Sequence, residues 1–366
     1  VYDAERCVMC TRCIRFMDEV AGDPVLDMRE RGNLNEIFVA PGRQLEGRYT
    51  FMVEHVCPVG ALTTKDFRFK ARVWFLRSAK SVCQGCATGC NAFLDYDPRF
   101  GKVYRYRPRD NEAVNKFWMC DDGMLSYRAA HIGRVTEARA DGKKKGVQSA
   151  LEAAAATLKD VPGKSVAIVM SAAHSQEDNW AMRELARMLG TTAIYVTGAG
   201  AGYEDDILID KDKNSNTAGV IELVPDVKSF TQLVSDIRSG GVTHVIALGG
   251  VTPRTDPEDA TALGMLGALV TIAAHTGQLS EAATVLLPAT SWAEASGTFV
   301  NKTGLRQLAE KAIEPQGASL PAWELASLLA TALGLEPSFK RLKDVRSRLV
   351  GAAVPSTRDV NESAST

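Results

Sequence analysis

Residues 7–13, Cys-Val-Met-Cys-Thr-Arg-Cys, and a distant Cys57-Pro58 decide how this sequence is interpreted. Three cysteines at intervals of three residues bring their thiolates to one small volume, and the turn set by Pro58 can supply a fourth. Four thiolates around one point are the ligand set of an iron–sulfur cluster. We therefore predict that one [4Fe–4S] cluster is bound by four residues: Cys7, Cys10, Cys13 and Cys57.

The spacing can be compared with the two-cluster ferredoxin pattern C-x2-C-x2-C-x3-C-P, in which the last cysteine binds the other cluster. After Cys13, that crossing position holds Met17. The triplet expected before Cys57 is also absent, since its positions hold Gly47, Thr50 and Val53. One complete ligand set is left. We predict a ferredoxin-like domain over residues 1–78 that holds one cluster, with a turn at 29–33 and a short strand at 36–39.

A second set of four cysteines follows, and no cysteine of the chain is left over. Its members, Cys83, Cys86, Cys90 and Cys120, give C-x2-C-x3-C and a distant fourth ligand. Two stretches of strand-like sequence, 91–95 and 101–106, lie between them, so we predict a small β-rich domain over 79–137 with a second [4Fe–4S] cluster. Disulfides are not favoured for cysteines packed this closely, but zinc stays open as an alternative, because paired C-x2-C elements also build four-cysteine zinc sites.

From residue 138 onward, apolar runs of strand length alternate with amphipathic segments of helix length. This alternation indicates a parallel sheet with helices on both faces. The predicted strands are 165–170, 193–196 and 242–248, and the predicted helices are 149–158, 177–189 and 230–238. We expect an α/β domain over 138–350, a basic loop at 142–146 and a disordered tail at 351–366.

The composition excludes two classes of partner. Lys and Arg number 43 against 44 Asp and Glu, with no basic stripe of the kind that binds nucleic acid. The longest apolar run, 262–274, is interrupted by glycines and is shorter than the ~18 residues that a membrane span needs. We expect no direct membrane span. The first predicted ligand comes so early that we also expect N-terminal sequence to be missing.

Residues 6–13, residues 57–63 and the C-x2-C-x3-C set together resemble the large iron–sulfur subunits of bacterial NADH–quinone oxidoreductase, respiratory complex I. The resemblance implies an electron-relay subunit between the NADH-binding flavin subunit and the quinone-proximal iron–sulfur subunits, on the cytoplasmic side of the bacterial inner membrane. It places the first cluster on the electron path and gives the second a structural role. It implies a [2Fe–2S] and a further [4Fe–4S] cluster in an N-terminal region absent here, and no catalytic residue on this chain.

The second cysteine set and residues 283–307 resemble the molybdopterin oxidoreductase family. In catalytic members a lysine commonly follows the fourth cysteine by two positions, but this chain has Asp122 there. A carboxylate would repel the phosphates of the pterin. No cysteine after Cys120 is left to bind molybdenum. The resemblance therefore implies an α/β domain kept as scaffold, without a molybdopterin cofactor.

Three other functions remain open at this point. The chain could be the iron–sulfur subunit of an NAD-reducing hydrogenase, although such subunits usually stop before the second cluster. It could belong to an NAD-linked formate dehydrogenase, which would require a longer C-terminal core and bound molybdenum. It could also be a zinc-stapled assembly protein without redox activity. Stoichiometric molybdenum or tungsten would indicate the formate dehydrogenase, and zinc without iron would indicate the assembly protein.

Overall fold

The computed structural model describes residues 1–349 apart from Arg31 and Asn33. The predicted tail at 351–366 and part of the predicted turn at 29–33 lie outside the described residues. The N-terminal region contains little regular structure. Its elements are α1 (Arg12–Arg15), a π-helical turn (Phe16–Val20), the antiparallel pair β1 (Leu26–Arg29) and β2 (Glu36–Val39), and α2 (Met52–Val56). The predicted strand at 36–39 is confirmed.

A three-stranded antiparallel sheet follows, formed by β3 (Arg77–Val82), β4 (Asn91–Asp97) and β5 (Lys102–Pro108). Ala79, Leu94 and Tyr106 from the three strands are buried in one hydrophobic core, which also includes Cys13. Helix α3 (Asp121–Leu125) follows Cys120. The first three cysteines of the second set therefore lie in the connection between β3 and β4, because Cys83 directly follows β3 and Cys90 directly precedes β4.

The C-terminal region is built on an eight-stranded sheet in the order β10-β9-β8-β11-β12-β13-β6-β7. Its strands are β6 (Ala138–Ala140), β7 (Lys143–Lys145), β8 (Val166–Ser171), β9 (Ile194–Thr197), β10 (Lys228–Ser229), β11 (His244–Leu248), β12 (Ala268–Ala273) and β13 (Val285–Pro288). A separate antiparallel hairpin joins β14 (Gly297–Val300) to β15 (Arg306–Ala309). The predicted strands at 165–170, 193–196 and 242–248 are confirmed with shifts of one or two residues.

The helices of this region are α4 (Val147–Leu158), α5 (Gln176–Leu189), α6 (Thr217–Leu223), α7 (Phe230–Arg238), α8 (Pro257–Leu263), α9 (Gln278–Glu281), α10 (Ala322–Ala332) and α11 (Leu342–Leu349). Helices α4, α5 and α10 bury apolar side chains in one core and α7 and α8 in another, so helices cover both faces of the sheet. In the described part of the chain, no helix has the length and apolar character needed to cross a membrane.

Two expectations about this sheet are wrong. The sheet is mixed, because only its six strands from β10 to β13 are parallel, while β6 and β7 are antiparallel. The predicted basic loop at 142–146 contains β7. The physical reason lies in Asp141 and Gly142, whose φ values of 50° and 72° form the tight turn of a two-residue hairpin. The three lysines of β7 occupy the sheet edge, where charge prevents pairing with another chain.

Candidate metal centres

The second cysteine set surrounds a small cavity between the three-stranded sheet, α3 and a loop of the C-terminal region. All four cysteines are buried. The cavity measures about 70 Å³ and is also lined by Gly85, Met119, Asp122, Gly123, Leu208, Ile209 and Lys213. The structure therefore brings the predicted ligands Cys83, Cys86, Cys90 and Cys120 together around one enclosed volume.

Two glycines let the backbone approach the sulfurs of this set. A Cβ atom added at Gly123 would lie 3.0 Å from the Sγ of Cys83 and 3.2 Å from the Sγ of Cys120. The amide of Gly123 donates to the Sγ of Cys120 at 3.3 Å, and the amide of Gly85 donates to the Sγ of Cys83 at 3.4 Å. Backbone donors that face sulfur atoms fit thiolates that carry negative charge.

In this site, the negative charge of the thiolates requires bound cations to compensate it. Burial raises the pKa of Cys83 and Cys90 well above the ordinary value, and the neighbouring thiols of the set raise it further. Burial also raises the pKa of Cys120 to about 12. Thiolates gathered in such a place are stable only when metal ions compensate their charge. The donor set and its glycine cradle therefore fit an iron–sulfur cluster.

At the first site, the chain start pairs with the segment that follows Cys57. The amide of Asp3 donates to the carbonyl of Ala61 at 2.8 Å, and the amide of Thr63 donates to the carbonyl of Val1 at 2.9 Å. Cys7 lies four residues after the first contact, and Cys57 lies four residues before it. Cys7, Cys13 and Cys57 all pack in or against the same hydrophobic core.

The triplet loop of the first site has an unusual backbone. Met9 and Thr11 stand on either side of Cys10. Their φ values of 52° and 61° lie in the left-handed region that non-glycine residues seldom adopt. Successive residues of alternating hand turn their N–H groups to one side and form a concave site for anions. Cys13 is buried, whereas Cys10 is exposed. The loop thus wraps the ligand set and leaves one cysteine facing outward.

The turn after Cys57 also presents backbone amides to sulfur. Burial alone would raise the pKa of this thiol, but the N–H groups of residues 59–62 outweigh burial and lower it below the ordinary value. Burial also lowers the pKa of the neighbouring His55 to about 4, which keeps that imidazole neutral. Among the four predicted ligands of the first set, Cys57 is the one whose pKa the surrounding amides lower.

Packed side chains occupy the place of the missing ferredoxin ligand set. Met17 and Val53 are buried in the hydrophobic core that contains Cys13, and Thr50 is buried beside them. Among the described residues, no three His, Cys, Asp or Glu side chains gather tightly enough to hold a single metal ion. The cysteines that bind a four-iron cluster are spaced further apart than the ligands of a single metal ion, since each iron takes one cysteine.

One half-buried carboxylate connects the two sites, and nothing in the sequence singled it out. Asp121, next to Cys120, accepts hydrogen bonds from the amide of Thr50 at 3.0 Å, its hydroxyl at 2.5 Å and the amide of Phe51 at 2.9 Å. These donors lie at the start of α2, the helix that ends at Cys57. Leu208 and Ile209, which line the second cavity, also lacked any signal in the sequence. Asp122, by contrast, is exposed and lies 3.2 Å from the guanidinium of Arg48.

Comparison with known proteins divides the chain into two matched parts. Residues 1–63 match the family model of the NADH-quinone oxidoreductase subunit 3 ferredoxin-like domain, and residues 165–332 match that of molybdopterin oxidoreductase. The chain thus combines a ferredoxin-like N-terminal domain with a molybdopterin oxidoreductase-like domain that contains a large mixed sheet.

Individual relatives agree with this assignment. The G subunit of NADH-quinone oxidoreductase from Mycobacterium tuberculosis is 43% identical over 35% of this chain and 16% of its own length. NADH-quinone oxidoreductase subunit 3 of Thermus thermophilus is 31% identical over 55% of this chain and 26% of its own. The mitochondrial NADH dehydrogenase [ubiquinone] iron-sulfur protein 1 of Solanum tuberosum is 31% identical over 59% and 30%. The matches therefore span less than a third of these relatives.

A solved structure supports the fold alone. Acetylene hydratase from Pelobacter acetylenicus superposes with a TM-score of 0.54 over 73% of this chain and 72% of its own, at 10% identity. At that identity the likeness concerns architecture and carries no argument about activity.

Proposed function

We propose that this chain, a relative of the iron–sulfur subunits of NADH–quinone oxidoreductase, is an electron-relay subunit of such an oxidoreductase, respiratory complex I. The observation that carries the proposal is the match of residues 1–63 to the ferredoxin-like domain, a segment in which residues 1–3 pair with 61–63 and which contains Cys7, Cys10, Cys13 and Cys57. The relatives do not favour a hydrogenase or formate dehydrogenase subunit.

The proposed cofactors are two [4Fe–4S] clusters. Residues 1–78 would hold the first on Cys7, Cys10, Cys13 and Cys57, and residues 79–137 the second on Cys83, Cys86, Cys90 and Cys120. When bound, each cluster would supply one-electron redox chemistry. The chain supplies the rest, because backbone N–H groups and burial of the sulfurs set the potential. Cys10, as the exposed ligand, marks the side of the first site closest to a redox partner.

Residues 138–350 would act as scaffold without a molybdopterin. A cavity of about 130 Å³ lies beyond the carboxyl ends of β8, β12 and β13 and is lined by His174, His275 and Trp292, among others. Its volume is well below the ~300 Å³ at which pockets for small organic ligands usually begin. The small cavity and the carboxylate at Asp122 both support the scaffold role.

The relatives are subunits of a membrane-associated complex, and we propose the following position for this chain in such a complex. The chain would lie on the cytoplasmic side of the bacterial inner membrane, between the NADH-binding flavin subunit and the quinone-proximal iron–sulfur subunits. A [2Fe–2S] and a further [4Fe–4S] cluster would lie in sequence N-terminal to this segment.

The test compares Cys7→Ala with Cys83→Ala in the intact oxidoreductase. We expect Cys7→Ala to abolish NADH-to-quinone electron flow, whereas Cys83→Ala lowers the yield of assembled complex but leaves turnover per complex unchanged. Low-temperature electron paramagnetic resonance and iron analysis of the isolated chain should show about eight irons, as two [4Fe–4S] clusters require. Zinc without iron, stoichiometric molybdenum, or normal turnover in Cys7→Ala lacking its cluster would contradict the proposal.

A further inference from the structure

A groove outside both metal centres is lined by exposed aromatic rings and cations. It measures about 520 Å³ and lies between residues 69–75 and the β4–β5 turn. Among its lining rings, Phe69 is 92% exposed and Phe100 72%, and Trp74, which precedes the lining residue Phe75, is 73% exposed. Aromatic side chains bury 150–250 Å² each at interfaces and dominate their energetics, so several exposed together mark a contact surface.

The backbone holds one of these rings outward at a cost in strain. Phe69 has a φ of 65°, in the left-handed region that bulky residues rarely adopt. Packing within the chain does not offset this strain, because the Phe69 side chain is almost fully exposed. Such strain clusters at ligand and partner contacts, where an external interaction can compensate it.

The exposed charges around the groove are positive, because the nearby carboxylates are buried. The side chains of Asp66 and Asp97 are almost fully buried, and each is paired with a cation of the chain, Asp66 with Lys70 and Arg128 and Asp97 with Arg99. Lys70 and Arg99 remain about half exposed. Arg72 is exposed and has no carboxylate partner among the described residues. The rim therefore offers positive charge to whatever binds there.

The arginines also cover ring faces. The guanidinium of Arg99 lies 3.9 Å from the ring centre of Phe75, that of Arg68 lies 4.8 Å from Phe69, and that of Arg72 lies 5.5 Å from Trp74. Nucleic-acid bases would stack on these faces. Their occupation by arginine favours a protein partner, and aromatic and arginine side chains are the ones enriched at protein interfaces.

We propose that the groove formed by residues 69–75 and Phe100 binds an acidic segment of another protein subunit, whose apolar side chain enters between the rings while its carboxylates pair with the cations of the rim. This proposal rests on the proposed function, since the partner would belong to the same oxidoreductase. The site is distinct from both cysteine sets and lies where residues 69–75 meet the β4–β5 turn of the small domain.

The first test uses the intact complex, purified through a tag on this chain and washed with increasing salt. We expect the double substitution Phe69→Ala/Phe100→Ala to lower the fraction of one neighbouring subunit retained by at least tenfold. Arg72→Glu should release the same subunit at lower salt, because screening weakens charge pairing at the rim. Ile221→Ala and Lys159→Glu, exposed positions elsewhere on the chain, serve as matched controls and should behave like the unchanged protein.

The second test identifies the contact chemically. A carbodiimide activates carboxylates to form amides with lysine amines, so we expect a cross-link from Lys70 to an Asp or Glu of the neighbouring subunit. Unchanged retention in the variants overturns the proposal. So does a dimer of the isolated chain that Arg72→Glu dissociates, or tight binding of a 20-nucleotide oligothymidine that the variants lose. If the unchanged chain purifies with no other subunit of the oxidoreductase, the proposed function fails and the docking proposal fails with it.

Discussion

At the scale of single residues, Gly123 decides whether the second cysteine set has room for a cluster. A methyl group there would meet two of the four sulfurs at 3.0 and 3.2 Å. We expect Gly123→Ala to lower the iron content of the isolated chain from about eight to about four per molecule, since each [4Fe–4S] cluster contributes four. Gly146→Ala is the control, because a Cβ atom at Gly146 meets nothing within 4 Å. Eight irons in both variants would contradict the prediction.

Asp121 is a second single residue with a specific effect, and its hydrogen bonds extend from the second cysteine set toward the first. Replacing it with alanine removes the acceptor for the amides of Thr50 and Phe51 at the start of α2. Leaving these half-buried amides without an acceptor costs ~1–3 kcal/mol and loosens the segment that leads through α2 to Cys57. We expect Asp121→Ala to shift or broaden the resonance signal of the first cluster, with the cysteines themselves unchanged.

The neighbouring residue provides the control for that experiment. Asp122 lies one position further from Cys120 and is exposed, with Arg48 as its partner. Asp122→Ala should leave the signal of the first cluster as it is. If both variants alter the first signal equally, Asp121 has no special role in linking the sites.

At the scale of elements, the start of α5 contains a carboxyl group whose ionisation opposes folding. Burial raises the pKa of Asp178 to about 6, although its carboxylate accepts hydrogen bonds from the Ser175 hydroxyl and the Trp323 amide. Glu177 is the adjacent acid and raises it further. Because the folded chain holds this proton more tightly than the unfolded chain, the stability contributed is full below about pH 4 and is lost as the pH rises through about 6.

The measurement is the free energy of unfolding between pH 5 and pH 7. We expect the stability of the unchanged protein to fall by ~1 kcal/mol more than that of Asp178→Asn over this range, as a pKa of about 6 requires. Glu152→Gln, on the exposed side of α4, should retain the pH dependence of the unchanged protein. Identical slopes for all three proteins would show that Asp178 ionises normally.

At the scale of the whole molecule, one buried ion pair holds the segment after the second cysteine set against the α/β domain. The guanidinium of Arg134 lies 2.6 Å from the carboxylate of Glu294, and both side chains are almost completely buried. Glu294 also accepts hydrogen bonds from the amides of Ser291 and Gln316. Removing one partner of such a pair leaves the other charge uncompensated and costs ~3–5 kcal/mol.

We therefore expect Glu294→Ala to lower the thermal unfolding temperature far more than Glu258→Ala. Glu258 pairs with Arg238 at the surface, and exposed pairs contribute ~1 kcal/mol or less. Calorimetry of both variants checks the difference. The double variant Arg134→Met/Glu294→Met should recover most of the loss, since no charge is then left buried without a partner.

Local patterns predicted much of this architecture. The strand at 36–39 and the alternation of strands and helices after residue 160 follow from periodicity within single segments, and helix α7 forms at its predicted bounds, 230–238. That alternation predicts a parallel sheet, whereas β6 and β7 add two antiparallel strands in a stretch where the sequence predicts a basic loop. Its Asp-Gly turn was a signal in the sequence, but three consecutive lysines obscured the short strand that follows.

The sequence by itself determined the two cysteine sets as candidate ligands, because ligand spacing is a local property and every cysteine belongs to one set. The structure alone decided what surrounds those sets. Gly123 faces Cys83, Asp121 reaches Thr50 across 71 positions, and Leu208 closes the second cavity. The aromatic groove likewise unites segments that the sequence keeps apart. Such contacts join residues distant along the chain, and only the packing of whole elements brings them within a few ångströms of each other.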